Sequence, residues 1–72
     1  MIYKSEVFGE EYDMEEVRFI PNMKQNYKYL AHPLSRGQLV DIICGTDEKL
    51  VFVWKKSKET KELYDLWCKH EL

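Results

Sequence analysis

The feature that most constrains this chain is the segment LVDIICGTDEKLVFVW, residues 39–54. Two apolar runs rich in β-branched and aromatic residues flank GTDEK, a hairpin-length loop opened by Gly45. Side chains alternate along a strand, so Val40, Ile42 and Cys44 are expected on one face of the first run. Leu50, Phe52 and Trp54 share a face of the second, with Val51 and Val53 opposite them. A strand that is apolar on both faces belongs at the centre of its sheet.

The remaining segments supply candidate covers for that hairpin. Residues 2–8, IYKSEVF, suit an edge strand. Residues 9–13 form an acidic turn, after which Val17 and Phe19 resume alternation up to Pro21. A second short strand there, paired with the first as a hairpin, is one reading; a helical turn within Met14–Ile20 is the other. Asn22 suits a helix N-cap, and Met23, Tyr27 and Leu30 at i, i+4 and i+7 predict the buried face of a helix over 23–31. Pro33 ends it. Ser57 can cap a last helix over 58–70, with Thr60, Leu63, Trp67 and His70 inward. Lys58–Glu62, Lys61–Asp65 and Asp65–Lys69 stand at i, i+4 on its wet side.

The fold expected is a single α+β domain spanning residues 1–72. It has a small, mostly antiparallel sheet of three to four strands with two helices on one face, in the order β(β)αββα. A core of this size rarely supplies more than roughly 3–5 kcal/mol. A homodimer through the 2–8 edge would enlarge it. MIYKSEVF has no apolar run, so no secretory leader or membrane span is expected. Cys44 and Cys68 read as free, mostly buried thiols of a cytoplasmic protein.

Charge is unevenly placed. Residues 1–16 carry six acids against Lys4, whereas residues 17–39 carry Arg18, Lys24, Lys28 and Arg36 and no acid. The total of −2 argues against indiscriminate nucleic-acid binding, which depends on phosphate neutralisation.

Chemistry at this stage is mostly excluded. Cys68 and His70 lie two apart on a helix, about 200° around its axis, and cannot easily share an ion. No Gly-rich loop precedes a helix. No Cys–His or Ser–His pair has a third orienting group, so no enzymatic activity, metal or cofactor is expected.

Several stretches together resemble a known pattern: Gln25 and Tyr29 in KQNYKYL, then Val51, Phe52, Val53 and Trp54, then Tyr64, Trp67, Glu71 and Leu72. This pattern is similar to that of a family of small proteins of unassigned function from phages and mobile elements of low-GC Gram-positive bacteria. The resemblance covers residues 24–72. It brings no catalytic residue and no cofactor. It implies an accessory protein, acting in the bacterial host cytosol, that binds and inhibits or redirects one host protein. A nucleic-acid-handling or defence (CRISPR-type) component is the implied class of target.

Two charged clusters are the candidate partner-binding residues. The first is EEYDMEE: Glu10, Glu11, Asp13, Glu15 and Glu16, with Tyr12 as an aromatic anchor. It is either an exposed acidic loop or a surface that docks in a basic groove. The second is Lys55, Lys56, Lys58 and Lys61, crowding a helix start where positive charge opposes the macrodipole. It is a solvated turn, an acidic-protein contact or a nucleic-acid contact. The alternative function is a small nucleic-acid-binding regulator using Arg18, Lys24, Lys28, Arg36 and the lysine turn.

Overall fold

The computed structural model describes residues 1–72 as an α+β fold with two sheets and two helices. Strands β1 (Ile2–Lys4) and β2 (Glu11–Asp13) form an antiparallel ribbon. A 3-10 turn at Met14–Glu16 leads into β3 (Val17–Ile20), and helix α1 (Met23–Ala31) follows. Strands β4 (Leu39–Cys44) and β5 (Leu50–Lys55) precede helix α2 (Lys58–Cys68). The second sheet is antiparallel in the order β3-β5-β4, so β5 is central, as its two apolar faces demand.

The N-terminal pairing differs from expectation. Residues 2–8 are not one strand, because the chain turns at Ser5, whose carbonyl accepts the Gly9 N–H at 2.9 Å. Gly9 sits at φ +74°, in the left-handed region open to glycine. The acidic turn contains a strand, β2, and β2 is the partner of β1. β3 pairs instead with β5, Val17 opposite Lys55 and Ile20 opposite Phe52. Both readings of Met14–Ile20 hold in part, a 3-10 turn and then a strand.

β5 is covered on both faces. On one side Trp54, Tyr29 and Leu63 are buried together, flanked by Ile20, Leu39, Phe52 and Trp67. On the other, Val17, Val40 and Val53 are buried under the β1–β2 ribbon, with Tyr12 and Ile43 against them. A bulge between Leu39 and Asp41 breaks strict alternation in β4. Val40 and Asp41 both turn to the ribbon side as a result. Ile42, opposite Phe52, turns to the helix side, so Val40 and Ile42 do not share a face.

Helix α1 has the expected ends but the opposite face inward. Asn22 Oδ1 accepts the Gln25 N–H at 3.2 Å, a cap as anticipated. Gln25, Asn26 and Tyr29 are buried, while Met23, Tyr27 and Leu30 are 44%, 67% and 50% exposed. The cause is the fully buried indole of Trp54, which brings an N–H into the core that needs an acceptor. Asn26 Oδ1 accepts it at 2.9 Å, and Asn26 Nδ2 donates to the Ile20 carbonyl at 2.9 Å. Gln25 Nε2 donates to the Tyr29 hydroxyl at 3.0 Å, and Tyr29 meets Trp54 edge-on at 5.3 Å.

Helix α2 ends at Cys68, two residues before the expected limit. Ser57 caps it in a reciprocal box with Thr60. The three i, i+4 charge pairs do not close; the only ion pair joins the Met1 amino group to Asp13 at 3.8 Å. Cys44 and Cys68 are free but exposed rather than buried, one at the end of an edge strand and one on the outer side of the last helical turn.

Asn26→Ala should orphan the Trp54 N–H and the Ile20 carbonyl together, at about 1–3 kcal/mol each. Urea denaturation followed by tryptophan fluorescence should show a loss of at least about 2 kcal/mol. Tyr27→Ala on the outer face should cost less than about 0.5 kcal/mol. Equal losses for the two variants would contradict this orientation of α1.

Candidate functional site: a charged groove beneath the N-terminal ribbon

The ribbon that carries the acidic residues is held by one buried carboxylate. Asp41 Oδ1 accepts from the Ser5 hydroxyl at 2.7 Å and from the Ile42 N–H at 2.8 Å; Oδ2 accepts from the Tyr12 hydroxyl at 2.8 Å. Ser5 Oγ in turn accepts the Phe8 N–H at 3.0 Å, closing the turn between β1 and β2. No buried side-chain polar atom lacks a partner. Burial first, and then the hydrogen bond and negative charge of Asp41, push the Tyr12 hydroxyl up to about 12. The Tyr3 ring stacks against Tyr12 at 6.3 Å.

With the ribbon so placed, the two charged clusters come together. Glu10, Glu11, Glu15 and Glu16 line a groove of about 570 Å³ with Lys55, Lys56 and Ser57 across from them. Tyr12, Val17 and Val40 supply its apolar surface. The backbone ties the walls, since Lys56 N–H donates to the Glu16 carbonyl at 2.8 Å. No ion pair forms between the walls. The carboxylates therefore remain available to a partner, and the lysines opposite moderate their field over a few ångströms.

The other candidate residues are placed elsewhere. Asp13 accepts the Glu15 N–H at 3.0 Å and pairs with the Met1 amino group. Tyr12 is half-buried and its hydroxyl is committed to Asp41, so it braces the ribbon before it can anchor a partner. Lys58 and Lys61 face away from the acidic groove and line a separate depression of about 620 Å³ with Arg18, Lys56, Tyr64 and Asp65. Lys24 and Lys28 lie beside Trp67 and His70, near the far end of α2. The basic residues of the alternative reading thus do not form one surface.

Sequence reasoning missed Asp41. A single carboxylate inside the apolar run LVDIIC was the available signal, because a buried acid must be supplied with donors. The same reasoning grouped Arg18 with the lysine turn but also with Lys24 and Lys28; β3 pairing with β5 rather than with β1 brings Arg18 to the turn, while Lys24 and Lys28 lie apart.

No set of three or more His, Cys, Asp or Glu side chains is grouped to hold a metal ion, and no helix is long and apolar enough to cross a membrane. Comparison with protein-family models, curated proteins and solved structures finds no match to this chain.

The raised Tyr12 pKa sets a pH dependence. A proton held more tightly in the folded state stabilises it fully below pH 10, and that contribution is lost as pH rises from about 10 through about 12. Asp41→Asn should bring Tyr12 part of the way back toward its ordinary value and weaken this alkaline dependence, with the share due to burial remaining. Ring carbon shifts of Tyr12 followed by NMR between pH 8 and 12 would measure both. A Tyr12 titration unmoved by the substitution would rule out the Asp41 contact.

Proposed function

We propose that this chain is a small protein-binding module, of the phage accessory type its sequence resembles, that inhibits or redirects a host protein by occupying a basic surface on it. The observation that carries this reading is the groove in which four glutamates converge without a single ion pair to the lysines opposite. Four carboxylates against two lysines leave an excess of negative charge on a braced element, and such an excess steers a complementary partner and fixes its register.

The partner that fits is basic. A protein that handles nucleic acid presents such a surface, and a defence component of the CRISPR type is one instance of that class. The reading needs no catalytic group, metal or cofactor. It concerns the groove side of the sheet only, because the exposed α1 residues lie on the opposite side and no flat partner could cover both.

The test is a charge reversal that spares the bracing residues. Glu11→Lys combined with Glu15→Lys should lower affinity for the captured host protein about 100-fold, with circular dichroism unchanged, because Tyr12, Ser5 and Asp41 are untouched. Capture from lysate of a Gram-positive host, with nuclease present, would identify the partner. Recovery of the same partner in the same yield by the reversed variant would remove the groove from the interface.

A further inference from the structure

A second site lies at the junction of β3, β5 and α2, and it uses none of the glutamates. Arg18, Lys56, Lys58 and Lys61 converge on one depression of about 620 Å³, a size within the roughly 300–1,000 Å³ of ligand sites. One acid, Asp65, stands at its rim, and no cation in it is ion-paired. Three of the four come from the run 56–61, and the tertiary fold adds the fourth, Arg18, from β3. Arg18 arrives because β3 sets it directly opposite Trp54.

Arg18 and Tyr64 also line an adjoining cleft of about 220 Å³ between β3 and the two helices. Its walls include Phe19, Ile20, Pro21 and Tyr29. Tyr64 is half-exposed at the boundary, with one side toward the cations and one toward the apolar cleft. A cationic bed and a largely apolar cleft, with Gln25 and Thr60 as its polar groups, share an arginine and a tyrosine and suit a ligand with a phosphate at one end and a ring at the other.

We propose that this paired depression and cleft binds a nucleotide unit, free or within a single strand, with its phosphate on Arg18, Lys58 and Lys61 and its base against Tyr64. Arg18 and the lysines neutralise the phosphate, and an aromatic face accepts any base because every base has a π-face. Lys24 and Lys28 take no part, since they lie near the other end of α2. The depression shares Lys56 and Ser57 with the acidic groove, but Arg18, Lys58, Lys61 and Tyr64 line only the phosphate and base side.

The experiment uses the full chain, a fluorescent oligothymidylate and fluorescent ATP, with inorganic tripolyphosphate as competitor. Anisotropy at low salt should give saturable binding of at least one labelled probe. Tighter binding of the oligonucleotide, with log affinity falling on log salt at a slope of about −2 to −3, assigns a strand; equal or tighter binding of ATP assigns a free nucleotide. Lys58→Glu with Lys61→Glu should weaken binding at least about tenfold, whereas Lys24→Glu with Lys28→Glu should leave it unchanged. Tyr64→Ala should weaken it about tenfold and Tyr64→Phe should restore it. Absence of saturable binding by either probe, equal sensitivity to the Lys24 and Lys28 changes, or tripolyphosphate binding as tightly as ATP would overturn the proposal.

Discussion

The hydrogen bonds that Asp41 accepts hold together one whole side of this molecule. The β1–β2 ribbon offers few buried apolar atoms: Ile2, Tyr3, Val7 and Phe8 are all exposed. Apolar burial alone would leave it loosely attached. A carboxylate buried in the sheet, supplied by Ser5, Tyr12 and a backbone N–H, gives it fixed attachment points. Burying a charge is costly, and the cost is offset only where donors are complete, so the contact is demanding in geometry. The bulge at Val40 is part of the same device. It lets β4 present a valine to the core and an aspartate to the ribbon on one face, which strict alternation forbids.

The helix side follows a parallel logic with neutral groups. Trp54 fills the core centre, and its indole N–H makes an amide on α1 obligatory. Once Asn26 faces inward, helical periodicity carries Gln25 and Tyr29 with it and turns Met23, Tyr27 and Leu30 to the outside. Each cover of β5 is thus oriented by one polar side chain that contacts the strand layer, while apolar contacts fill the space between.

Legibility in the sequence followed this division. The β4–β5 hairpin, the central place of β5, both helix N-caps and the α+β class were readable because they rest on local pattern and capping chemistry. The inward face of α1 was not, because apolar spacing points to 23, 27 and 30 while the deciding partner, Trp54, is 28 residues away from Asn26. The pairing of β1 with β2 was hidden by composition. EYD has no strand-like alternation of its own, and only the cross-strand match of Tyr12 to Tyr3 and the pull of Asp41 make it a strand. At the candidate site, both charged clusters were visible as sequence, but their meeting across one groove depends on these non-local pairings.

The lysine turn gains its meaning from the geometry of a strand entering a capped helix. β5 ends at Lys55 and Ser57 caps α2, so side chains on either side of the cap diverge. Lys55 looks toward glutamates of the same chain, whose field compensates its own across the groove, and Lys56 stands between that groove and the second depression. Lys58 and Lys61 look toward Arg18 and meet only Asp65. A helix start already carries partial positive charge, so cations there are unfavourable unless something negative is near. On the groove side the chain supplies that negative charge itself. On the other side it does not, and the uncompensated potential is concentrated where Tyr64 and the apolar cleft adjoin it. One run of like charges therefore yields two environments, one satisfied within the molecule and one open to an anion from outside.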